Sequence, residues 1–496
     1  MVNDNLKKRY IGSIINIISR DGIVSDGDWV ESKDQDPNGD VRLIQLADIG
    51  DGEYRNRSER FLTLKKAKEL NCTFIEKGDI LIARMPDPLG RACIFPGDKK
   101  KSVTVVDVCI VRPGSGSVDS KWLTYTINSP EFRSNIAALE SGTTRKRIAK
   151  SKLIEIPLPV PPLSEQHRIV SKIEELFTKL DAGVRNLKKI QKEIKRYRQA
   201  ALKYAFEGKL TEEWRKANKD KLEPASELLK RIKEERKKAL VGKYRELPTV
   251  DKSKFSELPK GWEIASLGDL YEIVGGGTPS TDKKNYWNGK IPWISSADIS
   301  GIDKIEIRRY ITKEAISDSA TNLVPADTII VVTRVGLGKV AFAKADMCFS
   351  QDCQGLLPQN NLFSRYVLWY LTVATQIFKA QSRGTTIPGV TKKQLSALMV
   401  QIPSFKEQQK IVEEIERLFS VADEVEQVIE KSLKEAERLR QSILKIAFEG
   451  RLVPQDPNDE PAEKLLERIK AERNAGGQKK NKNKTLDSGS MSGMTR

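Results

Sequence analysis

The side chains that most often carry out catalysis are scarce or poorly spaced in this chain. Its 496 residues include one histidine and five cysteines. His167 follows Ser-Glu-Gln in the first turn of an expected helix, where we expect a solvated side chain rather than a catalytic one. The cysteines form no Cys-x-x-Cys pair, so the sequence predicts no metal site. Unpaired thiols are typical of a reducing compartment, which favours a cytoplasmic location.

Two glycine-rich segments come nearest to the pattern of a nucleotide-binding loop, but neither fits it. VGLGKV (residues 335–340) lacks the spacing and the hydroxyl residue of a P-loop. The GGG at 275–277 does not fit the G-x-G-x-x-G fingerprint. An Asn/Asp-Pro-Pro-aromatic motif, with which amino-methylating enzymes hold a flipped base, is also absent. We therefore expect hairpin turns at these glycines, no bound cofactor and no intrinsic catalysis.

Cationic side chains are abundant instead. The formal net charge of +18 and the pI of about 9.4 favour a polyanionic partner, most often nucleic acid. Lys and Arg neutralise phosphates, and Arg can also form paired hydrogen bonds with guanine in the major groove. The run TTRKR (residues 143–147) favours binding, because five adjacent donors have no evident acidic partner. Elsewhere an ordinary solvated charge remains the alternative.

The candidate DNA-binding residues lie in expected loops of two regions. In the first region they are Arg55, Arg57, Arg84, Thr143, Thr144, Arg145, Lys146 and Arg147, with Arg60 and Arg91 as further candidates. In the second region they are Thr278, Ser280, Lys283, Lys284, Trp287, Arg308, Arg309, Arg334, Arg383, Thr385 and Thr386. The longest apolar stretch, near 328–343, is interrupted by Arg334 and Lys339, so the sequence predicts no membrane span.

Self-comparison shows an internal duplication. EQHRIVSKIEELF (165–177) recurs as EQQKIVEEIERLF (407–419), identical at 8 of 13 positions. LKYAFEGKL (202–210) recurs as LKIAFEGRL (444–452), identical at 7 of 9 positions and with the same offset of 242 residues. A third pair, beginning EPA at 223 and at 460, has an offset of 237. The chain is therefore a tandem repeat.

Each repeat has the pattern of a long helix. Prolines precede it, Ser164 or Ser404 could cap its first turn, and Gly208 and Gly450 could end it. Apolar residues recur at 3-4 spacing over four heptads, which predicts a coiled-coil seam in which the two repeats pair. The predicted seam residues are Ile173, Leu176, Leu180, Leu187, Ile190 and Ile194 in the first copy, and Ile415, Leu418, Val425, Ile429, Leu439 and Ile443 in the second.

The remaining segments contain short β-like runs, such as ILIA (80–83) and TIIVV (328–332), separated by turn signals. We therefore predict an α+β (mixed) protein with two α/β recognition heads, separated and joined by two helical regions that form an antiparallel coiled coil. The expected boundaries are 1–155 for the first head, 156–245 for the central helical region, 246–400 for the second head, 401–475 for the C-terminal helical region and 476–496 for a disordered tail.

This organisation resembles the specificity subunits of type I restriction–modification enzymes. The resemblance rests on the repeated P-x-x-x-E-Q-x-x-I-V segments (161–170 and 403–412), the A-F-E-G-[KR]-L segments (205–210 and 447–452), and LPKGWE (258–263) with GGGTPS (275–280). The first head lacks an obvious LPxGW opening, because Lys8, Arg9 and Tyr10 stand there.

The resemblance implies a noncatalytic chain that binds double-stranded DNA, each head recognising one half of a bipartite asymmetric site. It also implies that the helices set the spacer and dock two methyltransferase subunits, which bind S-adenosylmethionine and methylate adenine. Restriction/translocase subunits would join the same complex. The alternative is a coiled-coil scaffold with nonspecific DNA binding, but two different heads argue against a mere spacer.

Overall fold

A computed structural model describes residues 10–86, 88–143, 145–239, 258–381 and 389–487. The chain divides into two compact units. One unit contains residues 1–187 and 430–496, and the other contains residues 188–429. Each unit therefore holds one head together with the beginning of one long helix and the end of the other.

The described part of the first head contains nine strands and four helices. The strands are β1 (Tyr10–Ser13), β2 (Ile23–Asp26), β3 (Val41–Ile44), β4 (Phe61–Leu62), β5 (Ile80–Ala83), β6 (Ala92–Ile94), β7 (Lys101–Thr104), β8 (Val108–Arg112) and β9 (Pro157–Val160). The helices are α1 (Leu64–Glu69), α2 (Ser120–Ile127), α3 (Pro130–Leu139) and α4 (Lys150–Glu155). They are followed by α5 (Leu163–Phe206), α6 (Glu212–Ala217) and α7 (Ala225–Ala239).

The second head has eleven strands and four helices among its described residues. The strands are β10 (Glu263–Ser266), β11 (Ile273–Gly275), β12 (Ile291–Ile294), β13 (Ile299–Gly301), β14 (Lys304–Ile305), β15 (Arg309–Ile311), β16 (Ile329–Val332), β17 (Val340–Phe342), β18 (Cys348–Phe349), β19 (Cys353–Leu356) and β20 (Met399–Ile402). The helices are α8 (Leu267–Leu270), α9 (Lys313–Ser317), α10 (Ser364–Gln381) and α11 (Lys392–Ser396), and then α12 (Phe405–Phe448) and α13 (Ala462–Asp487) follow.

The two heads share one topology although their sequences barely match. The first head has a four-stranded sheet in the order β2-β8-β5-β6, and the second has β11-β19-β16-β17. A three-stranded sheet has the order β4-β3-β7 in the first head and β15-β12-β18 in the second, with one parallel pair in each (β3 with β7, β12 with β18). A further two-stranded antiparallel pair, β1-β9 or β10-β20, leads into the long helix. Strands β9 and β20 thus extend a few residues past the expected head boundaries.

The long helices end as the sequence predicts. Gly208 and Gly450 have φ angles of 71° and 77°, values that favour glycine. After α5 the N–H of Gly208 bonds the carbonyl of Ala205 at 3.1 Å, and the N–H of Lys209 bonds that of Tyr204 at 2.9 Å. The same pair of bonds follows α12, so both helices close with a Schellman motif.

The helix starts differ from each other. Ser404 caps α12, because its hydroxyl oxygen accepts a hydrogen bond from the Glu407 N–H at 3.3 Å. Ser164 does not cap α5, since that helix already begins at Leu163 and the Pro162 carbonyl accepts its first bond. The Ser164 hydroxyl instead donates to Asp459 at 2.5 Å. Pro162 stands 242 residues before Ser404 and has no side-chain oxygen, so it cannot cap α5 in the same way.

The two long helices pack antiparallel. In one unit, Ile173 and Phe177 near the start of α5 share a core with Ile443 and Phe448 near the end of α12. In the other unit, Phe206 at the end of α5 shares a core with residues at the start of α12, Ile411 among them. The start of each helix therefore lies against the end of the other, as expected for an antiparallel coiled coil.

The seam between the helices differs from the predicted one at three positions. Ile173, Ile194, Ile415, Ile429 and Ile443 are buried, and Leu176, Leu180, Leu187 and Leu418 are half-buried. Ile190, Val425 and Leu439 are exposed by 41%, 39% and 51%. The half-buried positions are instead the next residues along the chain, Gln191, Glu426 and Arg440. Both sets of positions keep a 3-4 spacing. Long polar side chains can occupy a seam by burying their stems. Hydrophobicity alone therefore selects the wrong set of positions.

The segments that contain the short helices after the repeats form equivalent ion pairs. Arg231 in α7 pairs with Glu223, and Arg468 in α13 pairs with Glu460, at the shared offset of 237 residues. Helix α13 continues to Asp487, whereas we expected disorder from residue 476. Residues 488–496 lie outside the described part of the chain. No helix in the described ranges is long and apolar enough to cross a membrane.

Candidate nucleic-acid interface

A buried glutamine joins each head to its long helix. Gln166 is fully buried, and its amide donates to the Pro161 carbonyl at 2.9 Å while its oxygen accepts from the Asp119 N–H at 2.9 Å. Gln408, the equivalent residue 242 positions later, donates to Pro403 at 3.0 Å and accepts from the Phe363 N–H at 3.0 Å. The repeated Glu-Gln motif therefore holds each head on its helix through the same bonds.

A buried aspartate organises the loop beside the three-stranded sheet in each head. In the first head Asp48 accepts hydrogen bonds from the backbone N–H groups of Arg57 and Ser58 at 2.6 and 2.7 Å. In the second head Asp298 instead pairs with the Arg308 guanidinium at 2.6 Å. Burial alone would raise the pKa of Asp298, but hydrogen bonds from Ser295 and the charges of Arg308 and Arg309 lower it overall.

Arg309 lies on edge strand β15, above an aromatic pair. Its guanidinium is 4.4 Å from the ring centre of Trp293 and 5.8 Å from that of Trp287. The two tryptophans themselves pack edge to face at 5.1 Å. Nearly half of the Arg309 side chain is exposed, and its nearest described carboxylate, Asp298, lies 3.7 Å away. The ring contacts thus hold the guanidinium while leaving most of its donors available to a ligand.

Arg60 occupies the corresponding place in the first head. The Leu43 N–H bonds the Arg60 carbonyl at 2.8 Å, which places Arg60 beside strand β3 just as Arg309 pairs with Trp293 of β12. Arg60 is exposed, but no tryptophan lies at the position of Leu43. The two heads therefore present an arginine at one shared position in different surroundings, an equivalence visible only once strand pairing is known.

The basic loop at residues 141–147 is exposed and closed at its base. Ser141 and Arg147 exchange two backbone hydrogen bonds of 2.9 Å. Arg145 and Arg147 are exposed, with no described carboxylate at ion-pair distance. Lys146 pairs with Glu140 at 2.5 Å, although the sequence pattern indicated no acidic partner for this run. Thr143 is exposed, and Thr144 lies outside the described residues.

Two candidate arginines have structural roles. The guanidinium of Arg84 donates to the carbonyls of Val106 and Ile148 and pairs with Asp26 at 3.1 Å, and only 14% of its side chain is exposed. Arg91 is 4% exposed and donates to the carbonyls of Ile49 and other loop residues. Both bind backbone carbonyls that would otherwise be left unsatisfied, so neither is free to contact a ligand.

The other candidates lie on exposed or half-exposed surface. Arg55 lies 3.5 Å from Glu53, while the side chains of Arg57, Lys284 and Arg334 are exposed without a described carboxylate partner. Lys283 bonds the Tyr286 hydroxyl at 2.6 Å. The Thr278 hydroxyl donates to Gln351, and the Ser280 carbonyl accepts from Trp287. Arg383, Thr385 and Thr386 lie outside the described residues.

A cleft of about 320 Å³ lies beside Arg309 and Trp287. It is lined by Thr281, Lys284, Trp287 and Arg309. Two cations beside an indole ring can bind phosphate and stack on a base, which suits nucleic acid better than a small anion. Among the described residues no group of three or more His, Cys, Asp or Glu side chains is arranged to hold a metal ion.

Solved structures of restriction–modification proteins share this fold. One comes from work on the structural basis of complex assembly and conformational transition of the type I R-M system. It aligns with a TM-score of 0.65 and 18% identity. It covers 89% of this chain and 98% of that one. The HsdS subunit from Thermoanaerobacter tengcongensis aligns with a TM-score of 0.53 and 18% identity, over 90% of this chain and 97% of that one.

Sequence comparison gives the family. Residues 3–196 and 259–435 match the Type I restriction modification DNA specificity domain. The EcoDI specificity subunit of Escherichia coli is 30% identical over 351 residues, covering 68% of this chain and 74% of the relative. The MjaIX specificity subunit of Methanocaldococcus jannaschii is 31% identical over 195 residues, covering 38% of this chain and 44% of the relative. The chain therefore belongs to the family of type I restriction–modification DNA specificity proteins.

Proposed function

We propose that this chain is the DNA-recognition subunit of a type I restriction–modification complex, in which each head binds one half of a bipartite, asymmetric site. The observation that carries the proposal is the pair of heads with one topology and different exposed side chains. Both present an arginine on the edge of the three-stranded sheet, but only the second places it on two tryptophans. Different surroundings at a shared position favour different half-site sequences.

The catalytic work would belong to partner chains. Two methyltransferase subunits would bind S-adenosylmethionine and methylate adenine, and restriction/translocase subunits would complete the assembly. The sequence motifs argue for this division, because the chain carries no recognisable nucleotide- or cofactor-binding loop. The chain would act by binding DNA in a fixed register and presenting it to those partners, in the cytoplasm.

The long helices carry an exposed apolar surface that suits a protein partner. Ile190, Tyr197 and Tyr204 recur every seven residues on α5, so they share one face, and they are 41%, 45% and 54% exposed. On α12, Val421 and Val428 share a face and are 52% and 63% exposed. Exposed apolar stripes of this kind mark sites of protein association. We expect a methyltransferase subunit to cover them.

The proposal is tested by reconstitution. The purified chain alone should neither methylate nor cleave DNA, whereas with its methyltransferase subunit and S-adenosylmethionine it should direct adenine methylation to a two-part site. Methylation is measured as transfer of tritium from labelled S-adenosylmethionine to DNA. The duplexes compared carry both halves of the site, either half or neither half. Transfer that depends on both halves supports the proposal. Equal transfer to all duplexes would instead indicate a scaffold that binds DNA nonspecifically.

A further inference from the structure

Two arginines in the paired helices make the same contacts at sites related by the duplication. Arg198 of α5 pairs with Asp423 of α12 at 2.6 Å and stacks over the Phe419 ring at 5.3 Å. Arg440 of α12 pairs with Asp181 of α5 and stacks over the Phe177 ring at 4.2 Å. All three residue types recur at the offset of 242, so each arginine reaches the aspartate and phenylalanine of the other copy.

Each stack continues into the neighbouring head. Phe177 packs edge to face with Tyr125 of α2, with ring centres 5.8 Å apart. Phe419 packs edge to face with Trp369 of α10 at 5.0 Å. Each phenylalanine thus contacts a head helix on one side and an arginine of the opposite long helix on the other. We call the first chain of contacts (Tyr125, Phe177, Arg440 and Asp181) neck 1 and the second (Trp369, Phe419, Arg198 and Asp423) neck 2.

The necks are distinctive in three respects. Among the described residues, the salt bridges that join α5 to α12 are those of Arg198 and Arg440. Both arginine side chains are half-buried, at 26% and 29% exposure, although Asp423 and Asp181 are 61% and 45% exposed, so solvent screens these pairs only somewhat less than fully exposed pairs. Both occupy seam positions where an apolar residue would pack more simply. A polar residue in a seam gives up stability and specifies register.

We propose that Arg198 and Arg440 are positioning residues that fix each head on the helix pair, and thereby make the complex selective for one spacer length. The inference rests on the proposed function, since it assumes that two heads read two half-sites. It goes beyond it in assigning the selectivity to two named contacts rather than to helix length alone. Without the planar, charged link, each head would keep its own reading surface but hold it in a less defined direction.

The necks are not equally strong. Arg198 has a second carboxylate partner, Glu426, at 2.9 Å, and its phenylalanine packs on a tryptophan. The position equivalent to Glu426 is Val184, so Arg440 has one carboxylate partner among the described residues. Loss of Arg198 should therefore relax spacer selectivity more than loss of Arg440.

The test compares methylation rates of the reconstituted complex on duplexes that carry both half-sites with the cognate spacer, or with one base pair more or fewer. The Arg198→Met variant should lower the ratio of cognate to altered-spacer rates by about tenfold, equivalent to about 1.4 kcal/mol. Arg440→Met should lower it less, and Arg198→Lys, which keeps the charge but not the planar stack, should fall between Arg198→Met and the unmodified chain.

Matched controls come from the same helices. Arg196→Met and Arg438→Met remove exposed arginines that are also 242 residues apart, and they should leave the spacer ratio unchanged. The neck assignment would be overturned if the neck variants lowered the methylation rate equally on duplexes of every spacer length. It would also be overturned if the ratio of cognate to altered-spacer rates were the same in all five variants and in the unmodified chain. If the unmodified complex already methylates without any dependence on two half-sites, the proposed function itself fails. A thermal double-mutant cycle on Arg198 and Asp423 then still measures whether the neck contact couples the helices.

Discussion

The long helices and the heads preserve different things across the duplication. The helical repeats keep individual residues at a single offset of 242. These are the glutamine that joins each head to its helix, the phenylalanine and glycine of A-F-E-G, and the arginine of each neck. The heads keep strand order, for example β2-β8-β5-β6 against β11-β19-β16-β17, but few side chains, among them the buried aspartate and the arginine at the sheet edge. A region with the same role in both copies retains most of its side chains, whereas a region that recognises two different ligands retains its backbone and only a few side chains.

The phenylalanines of the A-F-E-G motif test the first half of that comparison most strongly. Phe206 and Phe448 are 6% and 3% exposed and belong to the cores of different units. Replacing either with alanine should lower the free energy of unfolding by about 3–5 kcal/mol, because it leaves a cavity in a packed core. Urea denaturation followed by circular dichroism gives the value. Tyr204→Ala is the control, since that side chain is 54% exposed. Equal small effects at all three positions would contradict the role of the motif.

The glutamines of the repeat should have the next largest effect. Gln166→Leu and Gln408→Leu each leave a carbonyl and an N–H without the partner described above, at about 1–2 kcal/mol per unsatisfied group. We expect the two variants to lose similar stability, about 2–4 kcal/mol each, because their hydrogen bonds are the same. Gln191→Leu, at a half-buried seam position, serves as the control and should cost little. A large difference between the two motif variants would show that the repeats are not equivalent in energy.

How far the sequence predicts the structure follows the same division. The helices, their terminal glycines and their pairing follow from local patterns: proline before the helix, 3-4 spacing and glycine after it. The exceptions are instructive. Hydrophobicity predicts Ile190, Val425 and Leu439 in the seam, whereas the structure places Gln191, Glu426 and Arg440 there, because long polar side chains can bury their stems.

The heads were harder to predict. Local patterns predict that runs such as ILIA are strands. Strand pairing is different, because β2 with β8 and β3 with β7 join residues far apart in the sequence. No local pattern encodes these pairings. The sequence predicts a DNA contact for Arg84, although its guanidinium binds two backbone carbonyls and Asp26. The sequence shows the charge of an arginine but not the carbonyls that surround it. The remaining DNA-binding residues stay predictions.

The basic loop should affect binding without affecting stability. Changing Arg145, Lys146 and Arg147 together to alanine should leave the unfolding midpoint in place, since all three are exposed. If the loop grips phosphates, log affinity should depend less steeply on log salt, by up to about 0.9 for each phosphate that the variant no longer neutralises. Fluorescence anisotropy of the reconstituted complex at several salt concentrations measures the slope. An unchanged slope would make the loop an ordinary charged surface.

The central claim is that each head reads its own half of the site, and the most direct test is to map adenine methylation in cells that express this chain with its methyltransferase subunit. Single-molecule sequencing should show one split motif with a fixed spacer. In a parallel culture, Arg309→Ala should relax or change bases in one half of the motif and leave the other half and the spacer intact, because Arg309 lies on the second head alone. A continuous motif, or a change in both halves from this one substitution, would contradict the account.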